Sequence, residues 1–166
     1  MIPESIKELQ EKSKFFFGAQ FLKESLPCVA KDLNIDFILI GKLISNSTQI
    51  QSLVYSRNDD KFLPLKYDLN ATPCELTTRD NYCCYENNVS KLFPEDYLLE
   101  EMQIEGYIGI SYSTSSEKVD GVIVALTHNP INNTDSITAS LKLFQSKIAD
   151  EINKEGVKIL NPEYYQ

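Results

Sequence analysis

The sequence of 166 residues lacks the residue patterns on which most catalytic and metal sites depend. It has one histidine, His128, and its four cysteines form neither a CxxC pair nor a zinc-type spacing. A lone histidine cannot form a triad without oriented partners, and metal sites normally need several ligands. No Walker loop, Rossmann glycine set, zinc-protease motif or kinase motif is present. We therefore predict no catalytic residue, no metal site and no cofactor beyond an unidentified small molecule.

Basic charge is also scarce. Lys and Arg number 16 against 24 Asp and Glu, for a formal charge of -8, and no basic run occurs. A nucleic-acid surface needs a concentrated basic patch, so nucleic acid is not an expected partner. No apolar run could span a bilayer, and residues 1–18 lack the apolar core of a secretory signal. We expect a cytoplasmic protein without a membrane partner, in which the cysteines stay as free thiols.

What remains is the composition of one globular domain, with 42% hydrophobic residues. Apolar periodicity predicts a helical region, two strands, an inserted segment, two more strands and a long helix. Pro27 should split the first helical region, with Ser25 as the cap of its second piece. The predicted elements are a helical region Ile6–Leu33, strands Ile35–Ile44, Gln49–Ser56, Phe62–Tyr67 and Tyr82–Tyr85, strands Tyr107–Ser113 and Val119–Thr127 joined by the loop 114–118, and a helix Thr134–Glu155 ended by Gly156.

Short connections require mostly antiparallel strands. The strand Ile35–Ile44 is apolar on both faces and should be central, whereas Pro64 favours an edge position for Phe62–Tyr67. The apolar stripes of the first and last helices need one sheet face to cover. The inserted segment then lies on the other face, which gives a layered α/β/α-like sandwich.

The inserted segment carries two helix-start patterns. Thr72 can cap a helix that has Pro73 at its first position and Glu75 reaching back to the cap. A second start is predicted at Pro94, followed by two acids at the positive end of the helix dipole. Small helices and a short strand placed between longer strands suit a roof over a pocket on the sheet.

The order of motifs in this region resembles a GAF domain of bacterial signalling proteins. The resemblance covers roughly residues 15–153, and three positions depart from the usual pattern: Ala71 for glycine, Ser111 for proline and Glu117 for a hairpin glycine. The matching segments are Tyr67-Asp68-Leu69, Thr72-Pro73-Cys74-Glu75, Cys84-Tyr85, Phe93-Pro94-Glu95-Asp96, Tyr107-Ile108-Gly109, Gly121-Val122-Ile123-Val124-Ala125-Leu126, Leu143-Phe144 and Glu151.

The resemblance implies an α+β, GAF/PAS-like fold with a central antiparallel sheet of about six strands. The terminal helices would cover one face and short helices would roof the other. The expected division is an N-terminal helical extension over 1–14, the GAF domain over 15–155 and a tail over 156–166.

Strand patterns predict where a ligand could lie. We expect the bulkier faces, with Val122, Val124 and Leu126, to pack against the terminal helices, and the smaller faces to leave room beneath the roof. The alternative is that side chains fill this space, and the helix start at Thr72 could instead bind an anion. The predicted ligand-binding residues are Tyr67, Cys74, Cys84, Phe93, Leu98, Tyr107, Gly109 and Ile123.

These expectations support a non-catalytic regulatory domain that binds a small molecule and signals through terminal helices, which would also form a homodimer. A ligand-free dimerisation or interaction domain is the alternative. A third hypothesis is a reductase of free methionine sulfoxide, since Cys74 and Cys84 have a spacing similar to that GAF-fold subfamily. The glycine-rich segment between those thiols is missing, and no cysteine follows Cys84.

Overall fold

Six strands and six α-helices occupy the part of the chain that the computed structural model describes, residues 1–115 and 118–165. Ser116 and Glu117 of the predicted hairpin loop lie outside these residues, and so do the expectations that concern them. In chain order the elements are α1 Glu4–Ser13, α2 Gly18–Asp32, β1 Phe37–Ile44, β2 Gln49–Ser56, β3 Lys61–Asp68, α3 Pro73–Asp80, β4 Tyr82–Tyr85, α4 Val89–Leu92, α5 Tyr97–Glu101, β5 Gly106–Tyr112, β6 Gly121–Thr127 and α6 Thr134–Glu155, followed by 3₁₀ helices Gly156–Leu160 and Pro162–Tyr165.

The strands form one antiparallel sheet in the order β3-β2-β1-β6-β5-β4. β1 is central and β3, which contains Pro64, is an edge, so both predictions are confirmed. The bounds of β2 agree with the prediction. β4 pairs with β5 as the opposite edge of the sheet, and therefore belongs to the sheet and not to the roof.

The sheet separates two apolar cores. The larger core joins the sheet to α1, α2, α6 and the first 3₁₀ helix, and the smaller core joins it to the roof segments around α3, α4 and α5. This arrangement confirms the predicted α+β fold, with terminal helices on one face and short helices on the other.

The first helical region breaks earlier than the sequence predicts. The break follows α1, and Gly18 begins α2 with φ +59°, where its N–H donates to Glu151 Oε1 at 2.6 Å. Pro27 lies inside α2, and Ser25 is a buried residue of that helix instead of its cap. Because Phe21 before the proline and Val29 after it are both buried, packing outweighs the cost of the missing hydrogen bond.

The roof helices begin as predicted at α3 but later than predicted at α5. Thr72 Oγ1 accepts from the Glu75 N–H at 3.3 Å, and Pro73 holds the first helical position. The sequence predicts the second start at Pro94, but Pro94 lies in a turn in which the Asp96 N–H donates to the Phe93 carbonyl at 3.0 Å. Asp96 is the N-cap residue of α5, because the turn must finish before the helix can begin.

The C-terminal helix has the predicted bounds, and Gly156 ends it with φ +71°. The residues beyond it pack on the larger core, where Ile159 and Leu160 are buried. Tyr165 stacks on Phe62 with ring centroids 4.4 Å apart. The division of the chain at residues 14 and 155 stays a prediction.

Candidate functional site

A small cavity lies between the sheet and the roof, on the side where the sequence predicts a pocket. Its volume is about 30 Å³, which is enough for a water molecule but not for a larger ligand without movement of the roof. It is lined by Leu39, Leu65, Tyr67, Pro73, Cys74, Asp96, Leu98, Leu99, Met102, Tyr107, Val124 and Leu126.

A chain of neutral hydrogen-bonding groups forms one wall of this cavity. The Cys74 thiol lies 3.1 Å from the Tyr67 hydroxyl and 3.3 Å from that of Tyr107. The Tyr107 hydroxyl also lies 2.8 Å from Thr77 Oγ1, and Thr77 donates to the Pro73 carbonyl at 3.1 Å. α3 presents Cys74 and Thr77 on one side because residues three apart lie on the same helix face.

Burial keeps these groups uncharged. It raises the pKa of the Cys74 thiol to about 11, and it raises the pKa of both Tyr67 and Tyr107 well above the ordinary tyrosine value. A protonated thiol is a poor nucleophile. The wall can therefore donate and accept hydrogen bonds to a ligand, but it does not present a reactive thiolate at neutral pH.

Because Gly109 has no side chain, the groups of this wall can occupy the space beside it. A Cβ atom at this position would lie 2.6 Å from the Tyr107 hydroxyl and 2.8 Å from Thr77 Oγ1. The space beside the strand at Gly109 is thus filled by protein side chains and not by a ligand.

Asp96 links the cavity to the surface. It lines the cavity and also an open groove of about 410 Å³, to which Asp68, Glu95 and Tyr97 contribute. Burial raises the pKa of the Asp96 carboxyl. Tyr67 and Leu98 line both spaces as well, so these three side chains form the partition between groove and cavity.

Four of the eight predicted residues line the cavity: Tyr67, Cys74, Leu98 and Tyr107. Phe93 packs against the smaller core with its ring 5.3 Å from Tyr85, outside the cavity lining. Gly109 lies on the same face, behind Tyr107. A ligand-binding role for any of them stays a prediction.

Ile123 and Cys84 lie on the opposite face of the sheet, which corrects the prediction for both. Ile123 is buried in the core beneath the terminal helices, and Cys84 packs against that core. Directly opposed residues of antiparallel strands share a face, and Ile123 pairs with Ile110. The face of β6 that carries Val122, Val124 and Leu126 therefore lies under the roof, the reverse of the predicted orientation.

Sequence reasoning also missed the contributions of Asp96, Met102 and Val124. The register of β5 against β6 could have placed Val124, because it pairs with Gly109. Asp96 belongs to the Phe-Pro-x-Asp motif, where the sequence predicts only an acidic residue at a helix start. Its role as a partition depends on where α5 begins.

The charged and polar residues at the ends of the central strands stabilise the fold. Asp36 accepts the backbone N–H of His128 at 2.8 Å and pairs with Arg57 at 3.2 Å, which joins the ends of three strands. All four cysteines are free thiols. In residues 1–115 and 118–165 no group of three or more His, Cys, Asp or Glu side chains could hold a metal ion. Across the same residues, no helix is both long and apolar enough for a bilayer.

Solved structures of very different sequence share this fold. No protein-family model and no curated protein matches the sequence. The GAF domain of an Acinetobacter phosphoenolpyruvate-protein phosphotransferase is similar at TM-score 0.69 and 14% identity, over 91% of this chain and 92% of the other. The phycocyanobilin-bound GAF domain of a cyanobacterial phytochrome is similar at TM-score 0.68 and 10% identity, over 95% of this chain and 98% of the other. The chromophore-binding domain of an R. palustris bacteriophytochrome is similar at TM-score 0.67 and 11% identity, over 92% of this chain and 62% of the other. The fold of this chain is that of a GAF domain, as the order of its motifs predicts.

Proposed function

We propose that this chain is a regulatory domain that binds a small, largely apolar molecule between the sheet and the roof. The observation that carries the proposal is the cavity with a hydrogen-bonding wall of Tyr67, Cys74 and Tyr107. Ligand sites are typically apolar spaces with a few placed polar groups. Two of the structures similar in fold are described as chromophore-binding or phycocyanobilin-bound, which supports ligand binding as a role of this fold.

The cavity has to enlarge before a ligand can occupy it. The segment most suited to move is residues 93–103, here called the lid, which contains α5 and contributes Asp96, Leu98, Leu99 and Met102 to the lining. α5 has five residues, and helices this short have little stability of their own. Displacement of the lid would join the cavity to the outer groove of about 410 Å³.

A polar path connects the roof to the terminal helices. The Ser111 N–H donates to the Asn81 carbonyl at the end of α3 at 3.1 Å, and Ser111 Oγ donates to Asn81 Oδ1 at 2.9 Å. Gln145 of α6 donates to the Ser111 carbonyl. A ligand that favours one position of α3 would thereby bias α6, provided that its affinity differs between the two states.

A ligand-free interaction domain is the second candidate, and the small cavity volume favours it. Phe15 and Phe17 at the junction of α1 and α2 are 81% and 59% exposed, so this junction offers apolar surface to a second copy. The reductase hypothesis gains less support, because Cys74 lies on the roof side and Cys84 packs toward the terminal helices.

The test is a thermal-shift screen of a small-molecule library, repeated on a variant whose cavity is filled. We expect compounds that raise the melting temperature of the wild type but not that of Val124→Phe, because binding to the folded state alone stabilises it. Val124→Leu, a smaller change, serves if the larger side chain prevents folding. Leu63→Phe on the exposed edge strand is the control.

Compounds that stabilise Val124→Phe and the wild type equally would contradict the proposed site. A screen without stabilising compounds, together with a concentration-dependent dimer, would favour the interaction domain.

A further inference from the structure

We infer that the molecule bound in this cavity carries a positively charged amine, which pairs with the carboxylate of Asp96. The inference rests on the proposed function, because it names the chemical class that the same site would accept. It follows from the charge around the cavity.

Asp96 is the charged residue in an otherwise apolar or neutral lining. The other lining side chains are aliphatic, proline, methionine, tyrosine or a protonated thiol. No Lys, Arg or His nitrogen lies within ion-pair distance of Asp96 among residues 1–115 and 118–165, where the ion pairs involve other acids. Asp96 thus borders the cavity without a counter-charge from the described residues.

Such a carboxylate is costly to the folded protein. Burial disfavours its charged form and raises its pKa, and the backbone N–H groups of Leu98 and Leu99 offset this only in part. A cationic ligand would supply the missing counter-charge through a charge-assisted hydrogen bond, which is stronger than a neutral one. A ligand carboxylate would meet a like charge at the same position and would be rejected.

The groove outside the partition favours the same charge. Asp68 and Glu95 line it, and the chain as a whole has a formal charge of -8. A field of this sign raises the local concentration of cations. Tyr97, which is 75% exposed at the groove, adds an aromatic face that an ammonium group can approach.

Asp96 also has a structural position, as the N-cap residue of α5. Asn and Asp are about equally good at that position. Asp96→Asn therefore removes the charge and keeps a residue that suits this position. Glu95→Gln is the matched control, because Glu95 lines the groove but not the cavity.

The test uses three probes of similar shape and different charge: phenethylamine, 2-phenylethanol and 3-phenylpropionate. Dissociation constants are measured by NMR from the backbone amide shifts of residues 96–99, for the wild type, Asp96→Asn, Glu95→Gln and Val124→Phe. We expect the wild type to bind the amine at least about tenfold more tightly than the alcohol, and the carboxylate most weakly. Asp96→Asn should reduce the amine-to-alcohol ratio to about one, whereas Glu95→Gln should retain most of it.

Two results would overturn the inference alone. In the first, the alcohol and the amine bind equally tightly to the wild type, and Val124→Phe blocks the binding of both. In the second, the preference for the amine persists in Asp96→Asn. If no probe binds the wild type up to its solubility limit, or if Val124→Phe binds all three normally, the proposed function itself fails and the inference falls with it.

Discussion

Replacement of Gly109 by alanine tests whether the roof is held tightly against β5. The added methyl group would lie 2.6 Å from the Tyr107 hydroxyl, 2.8 Å from Thr77 Oγ1 and 2.8 Å from Tyr107 Cε1. Tyr107 is 1% exposed and Thr77 is fully buried, so neither side chain can move into solvent. Something in the roof must shift.

The expected cost combines two effects. Overpacking of a buried site costs about 1–3 kcal/mol, and displacement of the Tyr107 hydroxyl weakens its hydrogen bond to Thr77, which is worth about 1 kcal/mol. We expect Gly109→Ala to lower the free energy of unfolding by about 2–3 kcal/mol. For a chain of this size that corresponds to a fall of roughly 5–10 °C in melting temperature.

The assay is equilibrium urea denaturation of the wild type, Gly109→Ala, Tyr107→Phe and the double variant. Tyr107→Phe alone should cost about 1 kcal/mol, because it removes one hydrogen-bonding hydroxyl. In the double variant the closest clash is gone, so the combined cost should fall below the sum by about 1 kcal/mol. Ser113→Ala, at an exposed position beyond β5, should change stability by less than about 0.5 kcal/mol.

A cost below about 0.5 kcal/mol for Gly109→Ala would refute this reasoning, because it would mean that the space beside β5 is empty. Additivity within about 0.5 kcal/mol would show that Tyr107 and Gly109 do not share that space.

Four further variants or modifications test other parts of the structure. The pKa of Asp96 is higher in the folded protein than in the unfolded chain, where it is about 3.9. Protonated Asp96 therefore contributes stability below about pH 3.9, and this contribution is lost as the pH rises through the raised pKa. Asp96→Asn should therefore be more stable at pH 7 by up to about 1 kcal/mol, with the difference shrinking in acid urea titrations; a less stable variant would contradict this. Ala71→Gly should gain up to about 1 kcal/mol in thermal denaturation, because Ala71 has φ +63°. Glu151→Ala should lose about 2–3 kcal/mol by the same assay and Glu151→Gln less, since glutamine can still accept the Gly18 N–H. Because its pKa is about 11, native Cys74 should be alkylated at pH 8 roughly a hundredfold more slowly than in the urea-unfolded chain, as followed by mass spectrometry; equal rates would show that its thiol is not protected.

The sequence predicts the layers of this fold well, because each layer has a separate signal. Two-sided apolarity identified the central β1, and Pro64 identified the edge strand. The reciprocal part of the cap at Thr72 differs: its N–H and hydroxyl both donate to the Leu69 carbonyl, at 3.3 and 2.6 Å, so Glu75 contributes its backbone and not its side chain. Local patterns therefore located the elements, while tertiary contacts decided how their ends are satisfied.

The site was predicted less well, because it depends on which way each strand faces. Side-chain size suggested that Val124 should pack on the terminal helices and Ile123 under the roof. The pairing of β5 with β6 decides the opposite, and that pairing has no signal in either strand alone. The prediction for Cys84 is wrong for the same reason, since Cys84 pairs with Ile108, which faces the terminal helices.

The two cores on either side of the sheet differ in size, with 27 buried hydrophobic residues on the side of the terminal helices and 12 on the roof side among the described residues. Unequal cores favour partial unfolding that starts in the smaller one. The amides around the roof should consequently exchange their hydrogens in solvent sooner than those of β1 and α6. A molecule that occupied the smaller core would slow this exchange locally, and the rest of the domain would keep its protection either way.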